Sequence, residues 1–202
     1  MIGQPNLSRE MALSILERTG AYLRGHFLLS SGRHAEHYLQ IALPFQFPPE
    51  GQKLASALAD LVRERGLRPQ VVVGPALGAI VPGYELARML GCRFVFSERG
   101  GDGQMALRRG FAVAPGEAAL ICENTVTTGG SVREVVDLLR RQGAEVIGVA
   151  VYGDRSSDPS TVFDVPYIAL VRLEFASWSP RECPLCRDGG QPESPGSRHL
   201  GK

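Results

Sequence analysis

The densest group of chemically useful residues lies in the stretch 118–133, AALICENTVTTGGSVR. An apolar run leads into Glu123 and Asn124, then into the loop Thr127–Ser131 (TTGGS), and then into a helical pattern. A strand, a loop and a helix in this order bring backbone N–H groups and hydroxyls to a positive helix N-terminus. The glycines let the backbone approach a ligand closely. The segment therefore predicts an anion site, with phosphate as the natural ligand.

The acid directly before this loop indicates what else the ligand carries. A carboxylate near a phosphate cradle repels phosphate, so Glu123 is expected to contact vicinal sugar hydroxyls, from which it accepts two hydrogen bonds. Sugar hydroxyls beside a terminal phosphate describe a ribose 5-phosphate. The alternative is structural, namely a capped helix with a surface acid at a strand end. P-loop NTPases and dinucleotide sites are disfavoured, because the loop lacks a final Lys and no G-x-G-x-x-G follows a strand.

The pattern around this motif predicts the elements that position it. Short apolar runs alternate with helical patterns, which indicates a doubly wound α/β domain with a parallel sheet covered on both faces. The predicted strands are 71–73, 93–96, 118–122, 146–152 and 168–173, and the predicted helices are 7–19, 48–66, 79–90 and 131–142. Short strands around Ser30-Ser31-Gly32 suggest a small N-terminal hood at about 7–45. The domain is predicted to span 1–186, and the Gly-, Pro- and Ser-rich tail 187–202 is predicted to be disordered.

Bulk properties exclude several classes of protein. The 202 residues are 44% hydrophobic and 21% charged, which suits one domain. The 22 basic and 21 acidic residues give a net charge of +1, and no basic run of five occurs, so a nucleic-acid partner is not expected. No apolar stretch approaches the roughly 18 residues of a membrane span, and no secretory signal is visible. Four cysteines do not suggest a disulfide framework, so we expect a cytoplasmic protein.

The segment Glu123 to Ser131 resembles the phosphoribosyl-diphosphate motif of type I phosphoribosyltransferases, in which two acids precede Thr-Thr-Gly-Gly-Ser. Over about residues 7 to 178 the chain is similar to one branch of them, the orotate phosphoribosyltransferases. The further matching segments, in order, are 25–33 (the substrate hairpin), 74–78 (the diphosphate loop), 96–111 (the flexible catalytic loop and the next strand) and 153–155 (where an Arg meets orotate). The resemblance implies a hooded, doubly wound α/β fold and a homodimer.

The resemblance also assigns roles on the sugar side of the site. The residues implied to bind 5-phosphoribosyl diphosphate are Leu77, Gly78, Arg99, Glu123, Asn124, Thr125, Val126, Thr127, Thr128, Gly129, Gly130 and Ser131. Glu123, Asn124 and Arg99 are the implied catalytic residues: Glu123 stabilises positive charge on the ribose, and Arg99 neutralises the leaving diphosphate. Arg108 or Arg109 could assist Arg99, including across a dimer interface. Residues 97–104 are expected to act as a lid that excludes water.

On the base side, the resemblance implies that Arg155, Thr127, Tyr38 and Leu39 bind orotate. A guanidinium is a planar fork that matches the carboxylate of orotate. A diphosphate leaving group beside few cationic side chains needs charge neutralisation, so Mg2+ is the expected cofactor, with no metal-ligating residue assigned. The expected partners are therefore the two small-molecule substrates.

Three departures from the family pattern keep other functions open. The second acid of the motif is Asn124, the hairpin position that is usually Lys or Arg is Ser30, and the loop 97–111 contains no Lys or His. The change at Ser30 keeps open a type I phosphoribosyltransferase for another base. The change at Asn124 keeps open a non-catalytic sensor of the diphosphate sugar.

The pair Cys183 and Cys186 forms a single C-x-x-C. A closed zinc site needs four ligands, His199 lies in the predicted tail, and the sequence shows no second ligand pair. We therefore do not expect a zinc site within one chain. A reversible disulfide or a metal shared between subunits stays open.

Overall fold

The computed structural model describes residues 9–29, 31–156, 163–173 and 175–195. The helices are α1 (Arg9–Arg18), α2 (Pro48–Glu64), α3 (Ile80–Leu90), α4 (Gly130–Arg141) and α5 (Pro184–Arg187), with a 3-10 turn at Leu43–Gln46. The strands are β1 (Tyr22–Leu28), β2 (His34–Leu39), β3 (Val71–Pro75), β4 (Arg93–Arg99), β5 (Met105–Leu107), β6 (Ala118–Val126), β7 (Glu145–Asp154), β8 (Tyr167–Arg172) and β9 (Ser177–Trp178). The predicted order of helices and strands is confirmed.

The central sheet has the strand order β5-β4-β3-β6-β7-β8. All neighbouring strands are parallel except β5, which runs antiparallel to β4 at the edge. Because β3 and β6 lie in the middle of the sheet, their carboxyl ends meet where the chain leaves the sheet for α3 and α4. In parallel sheets this edge is where ligands bind.

Alternating residues of the central strands build two separate cores. On one face, Val72 and Leu120 pack in a cluster with apolar residues of α1, α2 and α3. On the other face, Val71, Val73 and Ile121 pack with the apolar side of α4. This alternation follows from the two-residue period of a strand and confirms the doubly wound α/β fold.

The polar segment 97–104, which the sequence singles out as an expected lid, is part of a β-hairpin. Strand β4 continues through Arg99, and the chain returns as β5 with Ser97 opposite Leu107 and Arg99 opposite Met105. Ser97 and Met105 are buried, and the Ser97 hydroxyl contacts the Met105 sulfur at 3.8 Å. The pairing arises because these inward-facing side chains continue the core beyond the parallel strands. Residues 100–104 form only the tip.

The hood is a three-stranded sheet in the order β1-β2-β9. It packs directly on the main domain, since a Cβ atom on Gly153 of β7 would lie 2.5 Å from Leu39 Cδ2. Strand β9, which lies late in the sequence, pairs with β2, which lies early in it. Ser8, whose type and position favour a cap for the first helix, and Ser30 of the hairpin lie outside the described residues.

Residues 184–195 lie beside the hood in space, although the sequence predicts disorder from residue 187 onward. The Glu193 carbonyl accepts a hydrogen bond from Leu28 N at 2.8 Å, and Glu193 N donates to the His26 carbonyl at 2.8 Å. These backbone hydrogen bonds do not depend on side-chain type, so a Gly- and Pro-rich composition does not reveal them. Residues 196–202 lie outside the described part of the chain. None of the helices in the described ranges has the length and apolar character needed to span a membrane.

Candidate active site

The predicted phosphate loop connects β6 to α4. Strand β6 extends through Val126, four residues beyond the predicted end, so Glu123 and Asn124 are held by strand pairing with β7. Helix α4 begins at Gly130, preceded by Gly129 with φ 74°, a left-handed conformation that glycine adopts without strain. The first turn of α4 contains no acidic residue, so no acid within that turn compensates the positive end of the helix dipole. The loop can therefore hold an anion.

Glu123 and Asn124 lie at the sheet edge just before this loop. Glu123 is 8% exposed, and one of its carboxylate oxygens accepts a hydrogen bond from Asn124 N at 2.8 Å. The Asn124 side-chain oxygen accepts from Thr125 N at 2.6 Å, which holds the amide in place. A Cβ atom on Gly78 would lie 2.5 Å from Asn124 Nδ2, so the loop between β3 and α3 packs directly against this edge. The predicted diphosphate loop and the ribose acid are therefore neighbours.

Arg155 follows β7 and reaches the other side of the same edge. Its guanidinium carbon lies 5.9 Å from the ring centre of Tyr38 and 5.1 Å from that of Phe175. The Nε atom of Arg155 is buried and has no hydrogen-bond partner among the described residues. Burial lowers the pKa of Arg155, although an arginine remains protonated at neutral pH. A half-buried cation with an unused donor is suited to a carboxylate ligand.

Tyr38 belongs to the hood, and its contact with Arg155 joins the hood to the main domain. Burial raises the pKa of the Tyr38 phenol, and the nearby Arg155 charge offsets part of that effect. The phenol therefore stays neutral and can donate a hydrogen bond. Phe175, which completes the aromatic environment of Arg155, carries no local sequence motif and was not predicted.

Arg99 lies at the end of β4 and faces the N-terminal part of α4. Its guanidinium forms an ion pair with Glu134 at 2.8 Å and donates to the Gly103 carbonyl at 2.6 Å. Both side chains of the ion pair are more than 40% exposed, so the pair contributes only about 0–1 kcal/mol. Arg99 can therefore exchange Glu134 for an anionic ligand at low cost. Glu134 was not predicted as a site residue, since it reads as an ordinary helix-surface acid.

Arg108 and Arg109 point elsewhere in this chain. Arg109 pairs with Glu98 at 3.0 Å, Arg108 lies 3.8 Å from the same carboxylate, and both are well exposed. Neither side chain lines the cleft that contains Glu123 and Arg155. Within one chain, only Arg99 of the three loop arginines is placed to meet a ligand there.

The separately positioned residues surround one cleft of about 520 Å³. It is lined by the predicted residues Tyr38, Leu39, Arg99, Glu123, Asn124, Thr125, Val126, Thr127, Thr128, Gly129, Gly130, Ser131 and Arg155. Residues not predicted but also lining it are Leu28, Leu29, Ser31, Gln40, Val132, Glu134 and Ser194. Leu77 and Gly78 do not line the cleft, and Leu77 is 84% exposed beside it. The cleft joins the predicted phosphate loop, a buried acid and a half-buried arginine.

A second group of reactive side chains lies in the hood, away from the phosphate loop. Cys183 and Cys186 meet His26 and His34, with all four potential ligand atoms within 4.8 Å of one another. The expectation that the cysteine pair has no second ligand pair within the chain is therefore wrong. Sequence reasoning missed it because about 150 residues separate the two pairs, and only the hood packing brings them together.

Similarity to known proteins agrees with this geometry. Residues 45–171 match the phosphoribosyl transferase domain family. The chain is 46% identical over 192 residues to an orotate phosphoribosyltransferase from Heliobacterium modesticaldum, covering 95% of this chain and all of that protein.

Solved structures share the fold at lower sequence identity. The orotate phosphoribosyltransferase of Aeropyrum pernix has a TM-score of 0.71 at 22% identity, covering 81% of this chain and 94% of that one. An adenine phosphoribosyltransferase from Rhodothermus marinus has a TM-score of 0.64 at 21% identity, covering 81% and 99%. Fold alone therefore does not select the base. The sequence match over the full length does distinguish the branches, and the chain belongs to the orotate phosphoribosyltransferase family.

Proposed function

We propose that this protein transfers the 5-phosphoribosyl group from 5-phosphoribosyl diphosphate to orotate, giving orotidine 5′-phosphate and diphosphate in pyrimidine nucleotide biosynthesis. The observation that carries the proposal is the single cleft that joins the loop Thr127–Ser131 and Glu123 to Arg155. The loop suits the phosphate of one substrate, and Arg155 suits the carboxylate of the other. The full-length relatives named for this activity support the same conclusion.

The sugar substrate lies along the sheet edge in this proposal. Backbone groups of Thr128 to Ser131 hold the 5-phosphate at the N-terminus of α4. Glu123 accepts hydrogen bonds from the ribose hydroxyls. The backbone at Leu77 and Gly78 faces the diphosphate, and Arg99 leaves Glu134 to neutralise it.

The reaction breaks the bond between the anomeric carbon of the ribose and an oxygen of the diphosphate. A ring nitrogen of orotate forms the new bond to that carbon and releases its proton to solvent. Positive charge builds on the ribose while the first bond lengthens, and the buried carboxylate of Glu123 stabilises it. Arg155 orients the base by its carboxylate, and the tip at 100–104 closes to exclude water.

Magnesium is the proposed cofactor, and the cleft fits it in one specific way. Mg2+ in such sites keeps several waters and binds through one or two carboxylates plus substrate phosphate oxygens. Glu123 is the carboxylate placed at the sheet edge, whereas the side-chain oxygen of Asn124 already accepts a hydrogen bond from Thr125 N. When bound, the ion neutralises charge on the leaving diphosphate.

The decisive experiment incubates the purified protein with magnesium, 5-phosphoribosyl diphosphate and orotate, and measures orotidine 5′-phosphate by chromatography. The expected result is product formation that depends on all three additions. A panel with adenine, uracil and nicotinate replaces orotate in parallel. Product from another base alone would instead indicate a phosphoribosyltransferase of different specificity, the alternative that Ser30 favours.

A non-catalytic sensor of the diphosphate sugar is the candidate of another class, favoured by Asn124. A sensor would bind 5-phosphoribosyl diphosphate in calorimetry and release no diphosphate with any base. Measuring binding and product in the same preparation therefore separates a sensor from both enzymes.

The homodimer is part of the proposal, and an exposed apolar stripe supports it. Leu77, Val81 and Tyr84 are 84%, 52% and 56% exposed and follow one another along α3 and the loop before it. Contiguous exposed apolar surface is typical of protein interfaces. The stripe begins at the diphosphate loop, so a second copy packed there would lie close to the cleft.

A cytoplasmic location is also part of the proposal, supported by four described cysteines that form no disulfide.

A further inference from the structure

The four side chains in the hood come from two distant parts of the chain. His26 lies on β1, and His34 is the first residue of β2. Cys183 directly precedes α5, and Cys186 is the third residue of α5. His26 Nε2 lies 2.9 Å from His34 Nδ1 and 3.5 Å from Cys183 Sγ. Cys186 Sγ lies 3.2 Å from His34 Nδ1 and 3.7 Å from His26 Nε2. One atom of each side chain therefore faces a common centre.

We propose that His26, His34, Cys183 and Cys186 bind one Zn2+ ion in a tetrahedral site that joins the C-terminal segment to the hood. Bond lengths of about 2.0–2.1 Å to nitrogen and about 2.3 Å to sulfur predict edges of about 3.3 Å between nitrogens and about 3.6 Å between nitrogen and sulfur. The four nitrogen–sulfur and nitrogen–nitrogen distances given above lie close to these edges. Two of them, between the two histidines and between Cys186 and His34, need to lengthen by about 0.4 Å each.

The ligand set selects the metal. Two sulfurs and two imidazole nitrogens suit zinc, whereas magnesium and calcium require oxygen ligands. Binding releases the two thiol protons to solvent, and both imidazoles bind in their neutral form. Two thiolates then balance the charge of the ion, so the completed site is neutral. A neutral site suits this position, because Cys183 is fully buried and His34 is 6% exposed.

The site is structural, because four protein ligands leave no open position for a substrate. It lies beside the backbone hydrogen bonds that attach Glu193 to β1. Leu28 of β1 and Ser194 of the C-terminal segment both line the cleft. Zinc at this site would therefore hold in place one wall of the cleft without touching either substrate.

The test is the metal content of the full chain purified without chelator and without a metal-binding tag. Elemental mass spectrometry is expected to find about one zinc per chain. Cys183→Ser and His34→Gln are each expected to lose the metal. Controls are Cys92→Ser, a half-buried free cysteine outside the cluster, and His37→Gln, another histidine of β2, and both variants should retain the metal.

A second measurement on the wild-type protein does not depend on the folding of variants. After zinc removal under reducing conditions, titration with Co2+ should give one equivalent of binding with the intense visible absorption of tetrahedral cobalt–thiolate sites. Added zinc should abolish that absorption. The proposal is overturned by metal-free wild-type protein that takes up neither ion, or by a Cys183–Cys186 disulfide in the protein as isolated. Both readouts are independent of transferase activity.

Discussion

At the scale of single residues, the cleft has one arginine for each of two proposed anions, the carboxylate of orotate and the leaving diphosphate. Arg155 is half-buried between Tyr38 and Phe175, and its Nε donor has no partner in the part of the chain that the structure describes, whereas Arg99 is exposed and paired with an acid. A buried arginine is preorganised for a ligand, and an exposed one must first leave its partner. Arg155 is therefore expected to determine base affinity, while Arg99 and its partner modulate diphosphate affinity.

Replacing Arg155 with Ala removes a charge-assisted hydrogen bond worth roughly 1.5–3 kcal/mol. Orotate affinity is expected to fall about tenfold to a hundredfold, and affinity for the diphosphate sugar should hardly change. Isothermal titration calorimetry with each ligand measures both effects. Arg140→Ala, which removes an exposed arginine paired with Asp164, is the control. Equal losses for both ligands in the Arg155 variant would contradict the assignment.

Asn124 occupies the position where the family carries a second acid. An Asp there would add negative charge near the ribose as positive charge develops. Two charges about 4 Å apart interact by about 4 kcal/mol at an effective dielectric near 20, which is an upper figure. With a net effect of roughly 1–3 kcal/mol, Asn124→Asp is expected to raise turnover by about fivefold to more than a hundredfold.

Glu123, the acid next to Asn124, provides the opposite test. Glu123→Gln should lower turnover sharply, because it removes the charge that stabilises the transition state. Steady-state kinetics at saturating substrates measures both variants, and sugar-diphosphate affinity should stay within a few-fold for Asn124→Asp. Flat or reduced turnover in that variant would indicate that Asn124 serves a different substrate or a sensing role.

At the scale of elements, the β4–β5 hairpin combines a rigid base with a polar tip. At the base of the hairpin, Ser97 lies opposite Leu107 and Arg99 lies opposite Met105. The tip is held by a hydrogen bond from Gly100 N to the Gln104 carbonyl at 2.8 Å. The Arg99–Glu134 ion pair attaches this hairpin to α4. Because that contact is exposed, the hairpin can move when Arg99 binds an anion.

Glu134→Gln is expected to strengthen binding of the diphosphate sugar by up to about fivefold, since it frees Arg99 and removes a negative charge from the cleft. Arg99→Gln should weaken it. Calorimetry at low and high salt measures both changes, and the difference should shrink at high salt. A weaker-binding Glu134 variant would show that Glu134 itself contacts the ligand or its ion.

The hairpin tip is also expected to change its mobility. Backbone amides of residues 99–104 should exchange rapidly in the free protein and more slowly with the diphosphate sugar, magnesium and a non-reactive orotate analogue present together. Hydrogen–deuterium exchange mass spectrometry resolves this segment, and peptides of the buried strand β3 provide the control. Unchanged exchange with saturating ligands would contradict the lid.

At the scale of the whole molecule, the fold collects at one sheet edge residues that are far apart in sequence. The hood covers that edge from one side, and the stripe of Leu77, Val81 and Tyr84 lies exposed beside it. A second copy of the chain on this stripe would bury apolar surface, which favours association. Arg108 and Arg109, which do not reach the cleft of their own chain, would then be available to the partner's cleft.

The double substitution Val81→Glu and Tyr84→Glu is therefore expected to convert a dimer into a monomer. Sedimentation velocity measures the change, with Phe47→Glu as a control because Phe47 is similarly exposed but lies at the start of α2. If loop arginines act on the partner's cleft, turnover should fall with dissociation. A wild-type monomer, or a charged variant that remains dimeric, would contradict the proposed interface.

The sequence by itself determined the layered sheet and the position of the loop Thr127–Ser131 between a strand and a helix, where we predict phosphate binding. Both depend on local spacing: the residues from Glu123 to Ser131 are contiguous, and the strand and helix periods can be read within short windows. The order of helices and strands was predicted for the same reason. The end of β6 and the pairing of β5 were not predicted, since they depend on contacts with distant strands.

Only the tertiary structure decided which distant side chains meet. It placed Phe175 on Arg155, paired Arg99 with Glu134, and turned Arg108 and Arg109 toward Glu98. It also brought two hood histidines to Cys183 and Cys186 across about 150 residues. Such contacts depend on how the hood packs on the sheet, which is set by the summed burial of many apolar residues. No short sequence window contains that information.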